Sequence, residues 1–358
     1  MVQNIMSKKK PAFPVNDHLL DYLKEYNRYM EIPVLYEDLL RFSGSVNVYD
    51  EHDEDTLWIR VYYSEFERKE LDQSLKKVYS ILHSDGSDYI IPYLNVDAID
   101  FCTFGNSKPF RVRIRNIIND NFTYFYIKKT DASRIYGLEL EHMLSPYNLN
   151  FLVHKDTLIE EHILGIPGDV FIESYLEDCT TSEKAQLAKE FVKFNERCMI
   201  RLLGDMRSYN YVIVPIHDFD HVEYKIRAID FDQQSFEGRL NIYRPQFFKE
   251  NNKMVEMVRQ RLNEDSITQY KLEERSIIAK RIISWEKRLN KLIKASVDDK
   301  ISINENVESL KLEIFELTHD SKFKSCKSMG DILNLTLSFV KRNYENVTMS
   351  ELMTHKIK

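Results

Sequence analysis

Residues 203–232 read LGDMRSYNYVIVPIHDFDHVEYKIRAIDFD, and the order of their polar and apolar residues decides the fold. Asp205 and Asn210 lie in a loop that runs into Tyr211-Val212-Ile213-Val214, whose β-branched content predicts a short strand. His217 to Val222 reads as a polar turn, and Tyr224 to Ile229 as the returning strand, closed by Asp230-Phe231-Asp232. A hairpin brings its two ends together, so Asp205, Asn210 and Asp230 converge although 25 positions separate the first from the last. Two carboxylates beside an amide oxygen need a reason, because like charges repel and desolvated carboxylates cost free energy. A Mg²⁺ ion carrying a nucleotide's phosphates is one such reason. Solvated acids at strand ends are the plainer alternative.

The run Gly204-Asp205-x-x-x-x-Asn210, an apolar hairpin and Ile229-Asp230-Phe231-Asp232 together resemble the catalytic core of the protein-kinase-like fold. The style is closest to the aminoglycoside and choline phosphotransferase branch, whose pattern is roughly H-G-D-x-x-x-x-N and then I-D-[FW]-[DE]. Leu203 stands where that branch usually has His. Asp232 stands where protein kinases carry Gly, which argues against an ordinary protein kinase. The resemblance implies that Asp205 accepts or orients the acceptor hydroxyl's proton. It implies also that Asn210 and Asp230 hold Mg²⁺ on the phosphates of ATP, with Asp232 assisting a second metal or the hinge of the loop.

At 358 residues the chain is long enough for two domains or a two-lobed one. Its net charge of −7 argues against a general nucleic-acid binder, which needs a basic surface. No apolar run approaches the roughly 18 residues of a membrane span, and MVQNIMSKKKPAF lacks the apolar core of a secretory signal. Cys102, Cys179, Cys198 and Cys326 are far apart, which reads as reduced thiols in a cytoplasmic protein. Nine glycines in 358 residues, about 2.5%, fall well below the average of about 7%. A chain so sparing places glycine where the backbone demands it, and Gly105, Gly165, Gly168 and Gly204 all fall in predicted loops.

Residues 1–96 form an N-terminal α/β extension without a motif, containing a strand at 56–63 and an amphipathic helix at 65–83. The acidic run 50–55 reads as a solvated loop, since consecutive acids point in different directions. Residues 97–164 match the small lobe of the kinase-like fold: strands at 98–103, 110–117 and 122–129, a helix at 131–144, and strands at 149–153 and 157–163. Neither G-x-G-x-x-G nor a P-loop is present. Gly105-Asn106-Ser107-Lys108 still offers backbone N–H groups to phosphate.

In the kinase-like fold a lysine at the end of the third strand pairs with a glutamate on the next helix and so reaches the α- and β-phosphates. Lys128 and Lys129 both qualify, and only one can face the cleft because strand side chains alternate. Lys128 is preferred, and Glu141 over Glu139, because Glu141-His142-Met143-Leu144 repeats the family's E-x-x-L. The hinge that would hydrogen-bond adenine corresponds to Glu161-His162-Ile163-Leu164-Gly165, with Glu161 and Ile163 acting through their main chain.

Residues 165–358 are the helical lobe, opening with a Thr180…Glu183 capping box and a stripe from Leu187 to Leu202. His217, Asp218, Asp220 and His221 read as a polar hairpin tip and not as metal ligands. The expected fold is therefore α+β and two-lobed, protein-kinase-like, with a small antiparallel-sheet lobe, a larger mainly helical lobe and an N-terminal extension. The expected activity is Mg-ATP-dependent transfer of the γ-phosphate to a hydroxyl of a small molecule or protein. A pseudokinase acting as a nucleotide-binding scaffold, and a nucleotidyl transferase on the same fold, are the alternatives. ATP, Mg²⁺ and a hydroxyl acceptor are the implied partners, with no membrane and no nucleic acid.

Overall fold

The structure, a computed structural model, describes residues 10–50, 53–83, 86, 88–105, 107–218 and 221–343. Of the residues considered above, Glu51, His52, Asn106 and Asp220 lie outside that description, as do the side chains of Asp218 and His221. The chain is a mixed α+β fold with an antiparallel-sheet lobe and a mainly helical lobe, the class expected from residues 203–232. It forms two compact units. Among the described residues, one lies within 14–131 and 149–162; the other lies within 10–13, 132–148 and 163–343.

The sheet unit contains α1 (Asp17–Glu25), α2 (Tyr36–Leu39), β1 (Gly44–Tyr49), β2 (Asp55–Tyr62), α3 (Glu65–His83), β3 (Leu94–Cys102), β4 (Phe110–Asn116), β5 (Phe122–Lys129), β6 (Phe151–His154) and β7 (Thr157–Glu161). Its strands form one seven-stranded antiparallel sheet in the order β1-β2-β3-β4-β5-β7-β6. Strict alternation builds it. In β4, Phe110, Val112 and Ile114 are buried while Arg111, Arg113 and Arg115 point to the other face; in β5, Phe125 and Ile127 alternate with Tyr124, Tyr126 and Lys128. The apolar face packs against Leu71, Leu75, Val78 and Leu82, the buried stripe of α3. Each such side chain contributes about 1.5–3 kcal/mol on burial.

The sheet crosses the boundary expected at residue 96. β2 pairs with β3 through Trp58↔Cys102, Ile59↔Phe101 and Arg60↔Asp100, so β1, β2 and α3 belong to the same lobe as the strands that follow. A second expected boundary also shifts. The helix α4 (Ala132–Leu144), assigned from sequence to the small lobe, belongs to the helical unit. Its buried charges explain this: Arg134, Glu139 and Glu141 pair with Asp232, Arg288 and Arg201, all residues of that unit.

The helical unit continues with β8 (Ile166–Pro167), α5 (Gly168–Ser174), α6 (Thr181–Arg201), β9 (Tyr211–Asp218), β10 (His221–Ala228), α7 (Asn252–Arg261), α8 (Glu264–Ser284), α9 (Glu286–Val297), α10 (Asn304–Thr318) and α11 (Met329–Asn343). The capping box is formed: Thr180 Oγ1 accepts from Glu183 N at 3.3 Å and Glu183 Oε2 accepts from Thr180 N at 2.7 Å. The hairpin is longer than its polar residues suggested, with pairing running from Tyr211↔Ala228 to Asp218↔His221. His217 is paired with Val222 in the ladder and exposed, not part of a turn.

Candidate active site

The site is assembled at the C-terminus of α6. Leu202 adopts the left-handed conformation (φ 54°), unusual for a leucine, and is held there by complete burial. Leu203 N then donates to Cys198 O at 2.9 Å, and Leu203 forms an isolated bridge with Gln234. Leu203 is thus an apolar anchor, 1% exposed. Gly204 N donates to Gln233 O at 3.2 Å. A Cβ at Gly204 would stand 3.1 Å from that oxygen and from Ile242 Cγ2, which accounts for a glycine there.

Asp205 is also left-handed (φ 57°), and its N donates to Ile242 O at 3.1 Å. The Asn210 Nδ2 donates to Asp205 O at 2.7 Å, and Ile229 N donates to Asn210 O at 3.0 Å. These two bonds bring Asp205, Asn210 and the Asp230 end of the hairpin to one place. Burial pushes the Asp205 carboxyl up to about 6. The Arg207 Nε, at 2.8 Å from Asp205 Oδ1, pulls against that shift, while the charges of Glu250 and Glu237 add to it. Arg207 also donates from Nη1 to Glu250 Oε1 at 2.8 Å, and Glu250 Oε2 is buried with no hydrogen bond.

The donor set for a cation is smaller than the sequence implied. Asn210, 8% exposed, uses its amide nitrogen on Asp205 O, so the amide oxygen Oδ1 is the atom it could offer a cation. Asp230 Oδ1 accepts from Asp232 N at 3.1 Å, an Asx turn that fixes the carboxylate. Asp232 differs: Arg134 Nε lies 2.5 Å from its Oδ1, so its charge is already compensated. No group of three or more His, Cys, Asp or Glu among the described residues is arranged to hold a metal. One carboxylate and one amide oxygen still fit Mg²⁺, which keeps several waters and takes its remaining ligands from phosphates.

Glu141 is 3% exposed and ion-paired with Arg201. Burial, the largest single influence, raises its carboxyl, but Arg201, a hydrogen bond from Ser145 and the charge of Arg197 together hold the group below its usual value. Glu139 is taken by Arg288, whose Nη2 lies 2.6 Å from its Oε2. Gly137 lets α4 approach the motif, since a Cβ there would stand 3.0 Å from Phe231 Cβ.

In the sheet unit, strand alternation puts Lys128 and Lys129 on opposite faces. Lys128 is 7% exposed, whereas Lys129 is exposed and pairs with Glu37 at 2.5 Å. The partner of Lys128 is Glu160, whose Oε2 lies 2.7 Å from Nζ, so the acid of the expected Lys128–Glu141 pair comes from β7 and not from α4. The two residues face each other because β5 and β7 are neighbours, with Lys128 beside Leu158 and Tyr126 beside Glu160. Gly105 has φ 82°, a conformation that favours glycine, and open space where a side chain would be. The Glu161 N–H is spent on Asn150 O at 3.1 Å within the sheet edge. Ile163 is 7% exposed and belongs to the helical unit.

Sequence reasoning missed Arg134, Arg201, Arg207 and Glu250. Arg207 had a signal, as the one charged residue between Asp205 and Asn210. No helix among the described residues is long and apolar enough to cross a membrane. No protein-family model matches the chain, and no curated protein matches it. Among solved structures it is similar to an ethanolamine kinase from Plasmodium vivax at 14% identity. The match covers 71% of this chain and 90% of that one, with a TM-score of 0.27.

Proposed function

We propose that the protein is an ATP-dependent phosphotransferase acting on a hydroxyl acceptor. The observation that carries this reading is Asp205: a carboxyl raised to about 6, on a strained loop position, with Asn210 anchored to its own carbonyl. A general base is most effective when its pKa lies near the working pH. Asp205 takes or orients the proton of the acceptor hydroxyl, and Arg207 holds the carboxylate in position. Asn210 and Asp230 supply the oxygen ligands for Mg²⁺, which when bound neutralises charge on the phosphates. On the sheet unit, Lys128, oriented by Glu160, is the candidate for the α- and β-phosphates and the Gly105 main chain a candidate for the nucleotide; on the helical unit the Ile163 main chain is a further nucleotide candidate. Asp232 acts with Arg134 as a brace for the loop. Such a site works by positioning and charge neutralisation, since phosphoryl transfer leaves the protein little covalent work.

A test is ATP-dependent phosphorylation of a panel of alcohols, sugars and protein hydroxyls by wild type and Asp205→Ala. A mass gain of about 80 Da, that of a phosphoryl group, is expected on an acceptor with wild type only. Equal activity in Asp205→Ala contradicts the assignment. A second reading, a nucleotide-binding module without turnover, is favoured by one observation: Asp205, Lys128 and Asp232 each already have an opposite charge at hand. Nucleotide binding with no product on any acceptor would favour that module.

A further inference from the structure

Behind the Asp205 loop lies a cluster of cations that the proposed reaction does not use. Arg275 on α8 is 4% exposed; its Nε donates to Glu196 Oε1 at 2.5 Å, but its Nη2 is buried with no hydrogen bond. Lys271 stands one helical turn before it, and no hydrogen bond or ion pair engages its ammonium among the described residues. Arg244 reaches the same stretch of α6, where its Nε meets only the Met199 sulfur at 3.4 Å, a weak acceptor. Burial, together with the charges of its two arginine neighbours, lowers the Lys271 ammonium against the pull of Glu196, and burial lowers Arg244.

Glu196 is in contact with Arg275 alone, and its charge acts on Lys271 and Arg244 as well. A second carboxylate, Glu313, acts on Arg244 from further along, with its Oε2 occupied by Leu240 N at 2.7 Å. Arg275 is buried and Lys271 and Arg244 are half-buried; cations drawn out of water around a single carboxylate are costly, and an arginine with an unused guanidinium nitrogen presents an ordinary fork for oxygen anions. We propose that Arg244, Lys271 and Arg275 form a binding site for a phosphate-type anion within the helical unit, distinct from the Asp205 site.

Its position gives it leverage. Arg244 lies between Ile242, whose carbonyl accepts from Asp205 N, and Pro245, whose carbonyl accepts from Asn251 Nδ2 at 2.8 Å. The same amide donates to Met206 O at 2.9 Å. An anion on Arg244 therefore fixes the strap on which the Asp205 loop rests. The proposal stands whether or not the protein transfers phosphate.

The experiment is a thermal melt of the full chain in sodium phosphate against sodium chloride at matched ionic strength, without ATP or Mg²⁺. Wild type, Lys271→Met and Arg244→Gln are compared. Wild type is expected to gain several degrees, saturably, in phosphate over chloride. Both variants are expected to melt at or above wild type in chloride, having shed an uncompensated cation, and to lose most of the phosphate gain. Glycerol phosphate in place of phosphate assigns the ligand: a larger gain points to a monoester, a smaller one to the free ion. Superposed phosphate and chloride curves in wild type overturn the proposal. So does a phosphate gain that both variants keep, and so do variants that melt well below wild type in chloride.

Discussion

Arg207 grips Asp205 from two residues away, Nε to Oδ1 at 2.8 Å, and yet the carboxyl still titrates at about 6. Burial outweighs the ion pair. In the unfolded chain an aspartate ionises near 3.9. Between about 3.9 and 6 the folded state holds the extra proton, so this group's contribution to stability falls as pH rises through that window. Above it the full penalty is present. Asp205→Asn should therefore stabilise the protein at pH 8, on the order of 2 kcal/mol, since each tenfold change in an ionisation constant corresponds to about 1.4 kcal/mol. The difference should close by pH 4. Urea unfolding at both pH values checks this, and a less stable variant at pH 8 would contradict it.

The same raised carboxyl sets the activity profile. Turnover should fall as pH drops through about 6, because protonated Asp205 cannot accept a proton. Arg207→Gln should move that limb to higher pH, since Arg207 is the group that lowers the Asp205 carboxyl. A profile unchanged by the substitution would remove Asp205 from the rate-determining ionisation.

What the sequence disclosed follows from periodicity and spacing. The alternation of FTYFYIKK marked the strand and required Lys128 and Lys129 to point to opposite faces, without saying which lysine is the buried one, and the capping box marked the start of α6. The convergence of Asp205, Asn210 and Asp230 was legible because a hairpin has a simple geometry. The partners of the charges were not. Glu160 meets Lys128 across two strands that are not adjacent in sequence, and Glu141 meets Arg201 across 60 residues. Such pairings depend on tertiary packing, which no local pattern encodes. The lobe boundary was missed for the same reason, because β2 joins β3 only after a 19-residue helix has intervened.

The Glu141–Arg201 pair is buried on both sides, with side chains 4% and 2% exposed. Arg201→Met should leave Glu141 charged and unpaired in the core and cost about 3–5 kcal/mol. The double variant Glu141→Gln with Arg201→Met should recover part of that loss, because the orphaned charge is removed. Chemical denaturation of the three proteins measures the coupling. Additive losses would mean the two side chains are not a unit.

Gly168 begins α5 against the loop that carries Asn210. A Cβ there would run into the Tyr211 ring and stand 2.5 Å from Ser208 O. Gly168→Ala should cost about 1–3 kcal/mol, the usual range for overpacking, and displace the loop. Gly105→Ala, with open space around it, serves as the control and carries only the strain of its positive φ. Equal stability of Gly168→Ala and wild type would show that the loop is looser than its contacts imply.

The proposed chemistry depends above all on Asn210 and Asp230 presenting oxygen ligands for Mg²⁺ on a bound nucleotide. A thermal melt with ATP alone, Mg²⁺ alone and both, on wild type, Asp230→Ala and Asn210→Ala, measures this. A ligand at 100 times its dissociation constant adds about 2.7 kcal/mol, enough to move a melt visibly. ATP and Mg²⁺ together should stabilise wild type more than either alone, and both variants should lose the metal-dependent part. A wild type that does not respond, or variants that respond as wild type does, would contradict the assignment of these two ligands.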